Sequence, residues 1–150
     1  MTQYLLDTNI ILRFTNPSDA QHQLVTETIS LLLSRGDECY LTTQVLVELW
    51  VVATRPVDVH GLGWSTEQTR TIINQLLERF PLINETPQIF PTWLNWVTEH
   101  QVMGKRTHDV RIVAAMLGSG IKHILTLNLT DFTGLPGIAI ALPQDMMSDR

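Results

Sequence analysis

Cysteine is nearly absent from this chain of 150 residues: Cys39 stands alone, which excludes a disulfide scaffold. Positive charge is also scarce, with 10 Lys and Arg against 15 Asp and Glu and a net charge of −5. That balance argues against a polycationic nucleic-acid binder, but not against an enzyme that is acidic at its centre and basic only at its rim. Long hydrophobic runs are missing. The best stretch, residues 45–53, is interrupted by Glu48 and falls far short of the ~20 residues that cross a bilayer. Residues 1–7 hold neither a basic segment nor a long apolar run, so no secretory signal and a cytoplasmic location are expected. There is no glycine-rich phosphate loop, which disfavours phosphoryl transfer from nucleotides. No set of Cys and His has zinc-like spacing. Residues 126–132 lack the lysine that a phosphoacceptor receiver domain would place after a late strand.

What is present is an ordinary globular composition, 44% apolar and 17% charged. At this length folding buries roughly 70% of the surface of the unfolded chain, enough for one core. No repeat or linker interrupts it, so a single domain over residues 1–150 is expected. Residues 3–6 are apolar without helical period and read as a buried first strand ending at Asp7. Thr8 and Asn9 are placed to cap a short helix bearing Ile10, Ile11 and Phe14, which Asn16-Pro17 stops. Ser18 and Gln21 have capping-box spacing ahead of a helix carrying Leu24, Val25, Ile29, Leu32 and Leu33, closed by Gly36. Residues 39–42 read as a second strand. Residues 43–54 form a helix with Val45, Leu46, Leu49, Val52 and Ala53 on one face. Pro56, Gly61 and Gly63 mark residues 55–65 as a loop. Ser65 and Gln68 open the next helix, which Pro81 ends, and Leu82-Ile83 is a candidate third strand. Thr86-Pro87 has the signature of a helix start ahead of Trp93 and Trp96. Asp109 opens a helix with Ile112, Val113, Met116 and Leu117 facing inward, and residues 123–127 and 137–142 supply the fourth and fifth strands. Strands alternating with helices predict an α/β fold with a mainly parallel sheet of five strands. In such a sheet the ligand site lies beyond the carboxyl ends of the strands.

Four carboxylates are suspect by that rule. Asp7 follows the first strand, and Asp131 follows the fourth. Glu48 interrupts the apolar face of the helix after the second strand, and Asp109 sits at or just inside a helix N-terminus. Each has a bland reading: a cap for Asp7, a snorkelling edge residue for Glu48, a dipole-complementing acid for Asp109, a turn residue for Asp131. Together they point to one pocket. Convergent carboxylates repel unless a counter-ion compensates, and a hard divalent cation such as Mg²⁺ takes oxygen ligands of this kind.

Four stretches carry a resemblance in the correct order: Leu5-Leu6-Asp7-Thr8-Asn9-Ile10-Ile11-Leu12, Thr43-Gln44-Val45-Leu46-Val47-Glu48-Leu49, His108-Asp109-Val110-Arg111-Ile112-Val113-Ala114-Ala115, and Thr126-Leu127-Asn128-Leu129-Thr130-Asp131-Phe132. The chain resembles PIN domains, in particular VapC toxins of type II toxin–antitoxin systems. The resemblance implies a compact three-layer domain and a Mg²⁺- or Mn²⁺-dependent endoribonuclease that hydrolyses RNA with metal-activated water. It carries over Asp7, Glu48 and Asp109 as core acids. Many relatives place an acid where this chain has Asn128, whereas others have asparagine there and rely on the aspartate three residues later, so Asp131 is taken as the fourth acid. Thr8, Asn9 and Asn128 would support the site. The resemblance also implies a small antitoxin whose segment covers the acidic cleft, and a homodimer, for which apolar surface around the Trp93 helix is the candidate face.

Arg13, Lys105, Arg106 and Arg111 are candidates for a basic rim holding RNA phosphates. A solvated charge run is the competing reading. Trp64, in the loop, is the tryptophan placed for substrate contact, whereas Trp93 and Trp96 suit a core or a dimer face. His108 is read as an exposed helix-start residue and Cys39 as a small core residue. The alternative to a nuclease is an interaction protein on the same fold with a weakened site, suggested by Asn128.

Overall fold

The computed structural model describes residues 1–148. Four strands, β1 (Gln3–Leu6), β2 (Glu38–Tyr40), β3 (His123–Leu125) and β4 (Ala139–Ala141), pair in parallel in the order β2-β1-β3-β4. Tyr4, Leu5 and Leu6 of the central β1 are successively buried, as expected for a parallel strand covered on both faces. Leu5 faces Tyr40 on one side and Ile124 on the other, and Ile124 faces Ile140, so the core runs through the sheet in register.

The candidate third strand, Leu82-Ile83, is reduced to a single bridge, which leaves four strands where five were expected. Leu41 pairs in parallel with Leu82: the Leu41 N–H donates to the Pro81 carbonyl at 2.9 Å, and the Ile83 N–H donates to the Leu41 carbonyl at 2.7 Å. The next bond of that ladder would come from residue 81, and Pro81 has no N–H to give.

Among the described residues seven α-helices surround the sheet: α1 (Thr8–Phe14), α2 (His22–Ser34), α3 (Thr43–Thr54), α4 (Thr66–Arg79), α5 (Ile89–Glu99), α6 (Arg106–Gly118) and α7 (Pro143–Ser148). The last was not anticipated, being a six-residue element that begins at a proline. Among the described residues no helix is long and apolar enough to cross a membrane.

Several caps differ from expectation. Asp7, rather than Thr8 or Asn9, caps α1 and accepts from the Thr8 N–H at 2.8 Å. The Ser18–Gln21 box does not form, because the Gln21 N–H is taken by the Asp19 carboxylate at 2.8 Å. Ser65 does cap α4, accepting from the Gln68 N–H at 3.0 Å. Helix α6 begins three residues before Asp109, after Gly104 at φ +65°, which places Asp109 inside the first turn. Helix α5 starts at Ile89, so Thr86 and Pro87 precede it.

The loop over residues 55–65 is tied back onto α3. The N–H groups of Leu62, Gly63 and Trp64 donate to the carbonyls of Val52, Arg55 and Ala53 at 3.0, 2.9 and 2.8 Å, satisfying acceptors that a helix end leaves open. The fold is tightest at Gly61, where a Cβ would stand 1.9 Å from the Arg55 carbonyl oxygen. Trp64 is accordingly half-buried against the core instead of presented as a free platform. Substituting Gly61→Ala should destabilise the protein by at least roughly 1–3 kcal/mol, the scale of overpacking. A chemical melt within 0.3 kcal/mol of the wild type would show that the loop yields without cost.

Candidate active site

The site grows from the carboxyl end of β1. The Asp7 N–H donates to the Leu125 carbonyl at 3.0 Å, which continues the β1–β3 pairing one step and turns the Asp7 side chain out at the sheet edge. That side chain is only 5% exposed. Its Oδ1 accepts from the Thr8 N–H at 2.8 Å, and its Oδ2 accepts from the Thr126 hydroxyl at 2.8 Å and the Asn9 amide at 3.2 Å. Asn9 is held in turn, accepting from the Leu127 N–H at 3.0 Å and donating to Thr126 Oγ1 at 3.1 Å. Three loose ends, from β1, α1 and the segment after β3, are thus joined by one carboxylate.

Glu48 comes from the middle of α3 and is half-buried at the edge of the Val45–Leu49 stripe. Its Oε2 accepts from the Thr8 hydroxyl at 2.6 Å and its Oε1 from Gln44 at 3.4 Å. Asp131 closes a 3₁₀ turn (Leu129–Asp131) and accepts from the Asn128 amide at 2.7 Å. Asp109 is half-buried in the first turn of α6, and among the described residues its carboxylate receives no hydrogen bond.

The electrostatics follow from this crowding. Burial pushes the Asp7 carboxyl up to about 6, against the pull of the Thr126 and Thr8 hydrogen bonds and with added repulsion from Glu48 and Asp131. Asp109 is pushed up to about 7, first by burial and then by Asp131, Asp7 and Glu48, with Arg106 partly offsetting them. The four acids sense one another's charge, so the structure brings them to one place. Among the described residues no three Asp, Glu, His or Cys side chains form a ready-made metal cage.

A cleft of about 780 Å³ opens beside them, lined by Glu48, Asp109, Asp131 and Asn128, by the apolar wall of Val47, Val51 and Val52, and by Gln44, Arg55, Lys105 and His108. Of the four basic residues read from the sequence, only Lys105 lines this cleft. Arg13 lies 3.8 Å from Asp19 and donates to the Asn9 carbonyl. Arg106 donates to the carbonyls of Asp131 and Thr133, and Arg111 is held between Gln44 and Glu85. Three contributors were given no role from the sequence. Thr126 is a lone hydroxyl in an apolar run, Gln44 lies one helical turn before Glu48, and Arg55 lies two turns after it. Helical spacing from Glu48 would have found the last two.

A family model for the PIN domain matches residues 4–133. The chain belongs to the PIN domain family. Solved structures agree with that fold. One is a chain of VapBC2 from Rickettsia felis bound to a DNA fragment from their promoter, at TM-score 0.72 and 18% identity over 94% of this chain and 98% of that chain. Another is VapBC-1 from nontypeable Haemophilus influenzae, at TM-score 0.69 and 22% identity over 95% of this chain and 99% of that one. A third is VapC20 from Mycobacterium tuberculosis, a sarcin–ricin loop cleaving toxin, at TM-score 0.60 and 18% identity over 81% and 86%. Among curated protein sequences no significant match was found.

The raised carboxyl of Asp109 makes stability depend on pH. Its folded-state pKa of about 7 lies above the ordinary 3.8, so folding takes up a proton between these values. Its burden is absent below 3.8, grows as pH rises and is complete above about 7. Asp109→Asn should therefore raise the melting temperature of the metal-free protein at pH 8 by about 2–4 °C, corresponding to ~1 kcal/mol after solvent screening. The gain should vanish near pH 4. An equal gain at both pH values would mean that charge is not its source.

Proposed function

We propose that this PIN-domain protein is a metal-dependent endoribonuclease, the VapC-type toxin of a toxin–antitoxin pair, acting in the cytoplasm. The observation that carries the reading is the meeting of Glu48, Asp109 and Asp131 at one cleft, with Asp7 buried close enough for its charge to act on Asp109. Such a set is unfavourable in isolation and is relieved by a hard cation. All its donors are carboxylate oxygens, which fits Mg²⁺ or Mn²⁺. Mg²⁺ needs only one or two direct carboxylates and keeps several waters, so a closed protein cage is not required. Bound there, the ion would neutralise phosphate charge and lower the pKa of water.

The chain's own residues supply the rest. Thr8, Asn9 and Thr126 hold Asp7, Thr8 also holds Glu48, and Asn128 holds Asp131. Because Asn128 serves an acid, its presence supports an intact site over a weakened one. Arg55 and Lys105 flank the cleft and make no ion pair among the described residues, which leaves them free for RNA phosphates.

Val47 and Val51, 57% and 50% exposed beside the acids, suit a partner segment that carries an apolar side chain and a cation, as an antitoxin would. Phe90 and Leu94 on α5, 64% and 45% exposed, suit the homodimer contact. The VapBC likeness across nearly the whole chain supports the antitoxin assignment.

Purified protein should cut total RNA in Mg²⁺ and not in EDTA, and Asp7→Asn or Asp109→Asn should lower the rate by at least about 100-fold. Wild-type cleavage by both variants would refute the site. In a separate measurement, Arg55→Ala and Lys105→Ala should each reduce the salt dependence of RNA binding by about one phosphate contact. Unchanged slopes would remove those residues from the RNA path.

A further inference from the structure

Arg111, expected from the sequence to hold RNA, is committed elsewhere. Its guanidinium donates to Gln44 Oε1 at 3.1 Å and to Glu85 Oε2 at 3.2 Å. Gln44 is gripped a second time from α6, because its Nε2 donates to the His108 carbonyl at 2.8 Å. The same nitrogen lies 3.4 Å from Glu48 Oε1. One amide therefore spans from α3, which bears Glu48, to α6, which bears Asp109 next to His108.

The polarity of these contacts leaves the amide one orientation. Reversing its oxygen and nitrogen would set the oxygen against a carbonyl and a carboxylate, and the amino group against a guanidinium, so all three contacts would become repulsive. Glu48 is consequently fixed at both oxygens, by Gln44 on one side and by the Thr8 hydroxyl at 2.6 Å on the other. Helix α3 packs on α1 and α4, and α6 packs on α5, so the two cleft walls have little direct packing between them. Each wall also carries a carboxylate, Glu48 on α3 and Asp109 on α6.

We propose that Gln44 and Arg111 form a brace across the cleft that sets the separation and orientation of Glu48 and Asp109. In this assignment Arg111 is a positioning residue that acts through Gln44, and it does not contact RNA. The functional consequence rests on the nuclease reading above, whereas the mechanical claim does not.

The test uses the full chain carrying Gln44→Ala, Arg111→Ala, Arg111→Lys and the Gln44→Ala/Arg111→Ala double change, each shown by circular dichroism to be folded. Mn²⁺ alone is titrated by calorimetry, and RNA cleavage is resolved into kcat and KM. Each alanine variant should bind Mn²⁺ about 10-fold or more weakly, the scale of lost ligand orientation. Each should lose kcat with KM within twofold of the wild type. The double variant should be no worse than the poorer single one, and Arg111→Lys, with a single donor nitrogen in place of the guanidinium fork, should recover part of the loss. A raised KM with unchanged kcat in Arg111→Ala would overturn the brace in favour of an RNA contact, as would losses that multiply in the double variant.

A metal-free cycle separates the two proposals. The melting-temperature gain from Asp109→Asn at pH 8 should shrink in the Gln44→Ala background, where the walls can relax apart. Strict additivity there overturns the brace, whatever the activity. A wild-type protein that neither binds Mn²⁺ nor cuts RNA would overturn the nuclease reading, while this cycle still decides the brace.

Discussion

A negative charge held almost out of water at the end of the central strand is the constraint on which the rest of this molecule depends. Asp7 can be buried there because a backbone N–H, a hydroxyl and a side-chain amide donate to it. The donors come from two elements that adjoin it: the first and second residues of α1, the second also reaching across to Leu127, and the residue after β3. A buried carboxylate deprived of one such donor costs roughly 1–3 kcal/mol or more. The hydrogen bonds that present the acid to the cleft are therefore the same ones that lock β1, α1 and the segment after β3 together. Fold and site share these bonds and cannot be altered independently.

Restraint falls away from that point in steps. Asp7 is fixed by main-chain and side-chain donors from three directions. Glu48 is fixed by two side chains, and Asp131 chiefly by Asn128. Asp109 is fixed by no hydrogen bond among the described residues, and its carboxyl is displaced further upward than that of Asp7. The acid with the fewest donors is thus the one whose charge is least stabilised by the protein. That is the expected order when burial and repulsion raise a pKa and hydrogen bonding to the charged form lowers it.

The order of elements was legible in the sequence because the strands are apolar runs and the helices keep a 3.6-residue period. Glu48 was legible because it breaks such a face. Boundaries were less so. The start of α6 was misplaced because Asp109 looks like a cap, when Gly104, in left-handed conformation five residues before it, leads into the helix instead. The missing strand at Leu82-Ile83 follows from one proline, whose lack of an N–H is visible in the sequence but whose register is not. Among the basic residues, proximity in sequence to an acid misled. Arg13 and Arg111 sit four residues or fewer from site positions, yet their guanidinium groups are taken by Asp19, Gln44 and Glu85, partners set by tertiary packing. Arg55 reaches the cleft through helical geometry alone.

The sheet's borders carry a consequence of their own. On one side the pairing dwindles to the Leu41–Leu82 bridge, and on the other it ends with the three residues of β4. Strands this brief expose too few unpaired backbone groups to template a neighbouring chain, which is how natural sheets discourage edge-to-edge aggregation. A contact with a further copy would therefore have to use side chains on the helices, whose pattern can change by point substitution without disturbing the main-chain ladder beneath.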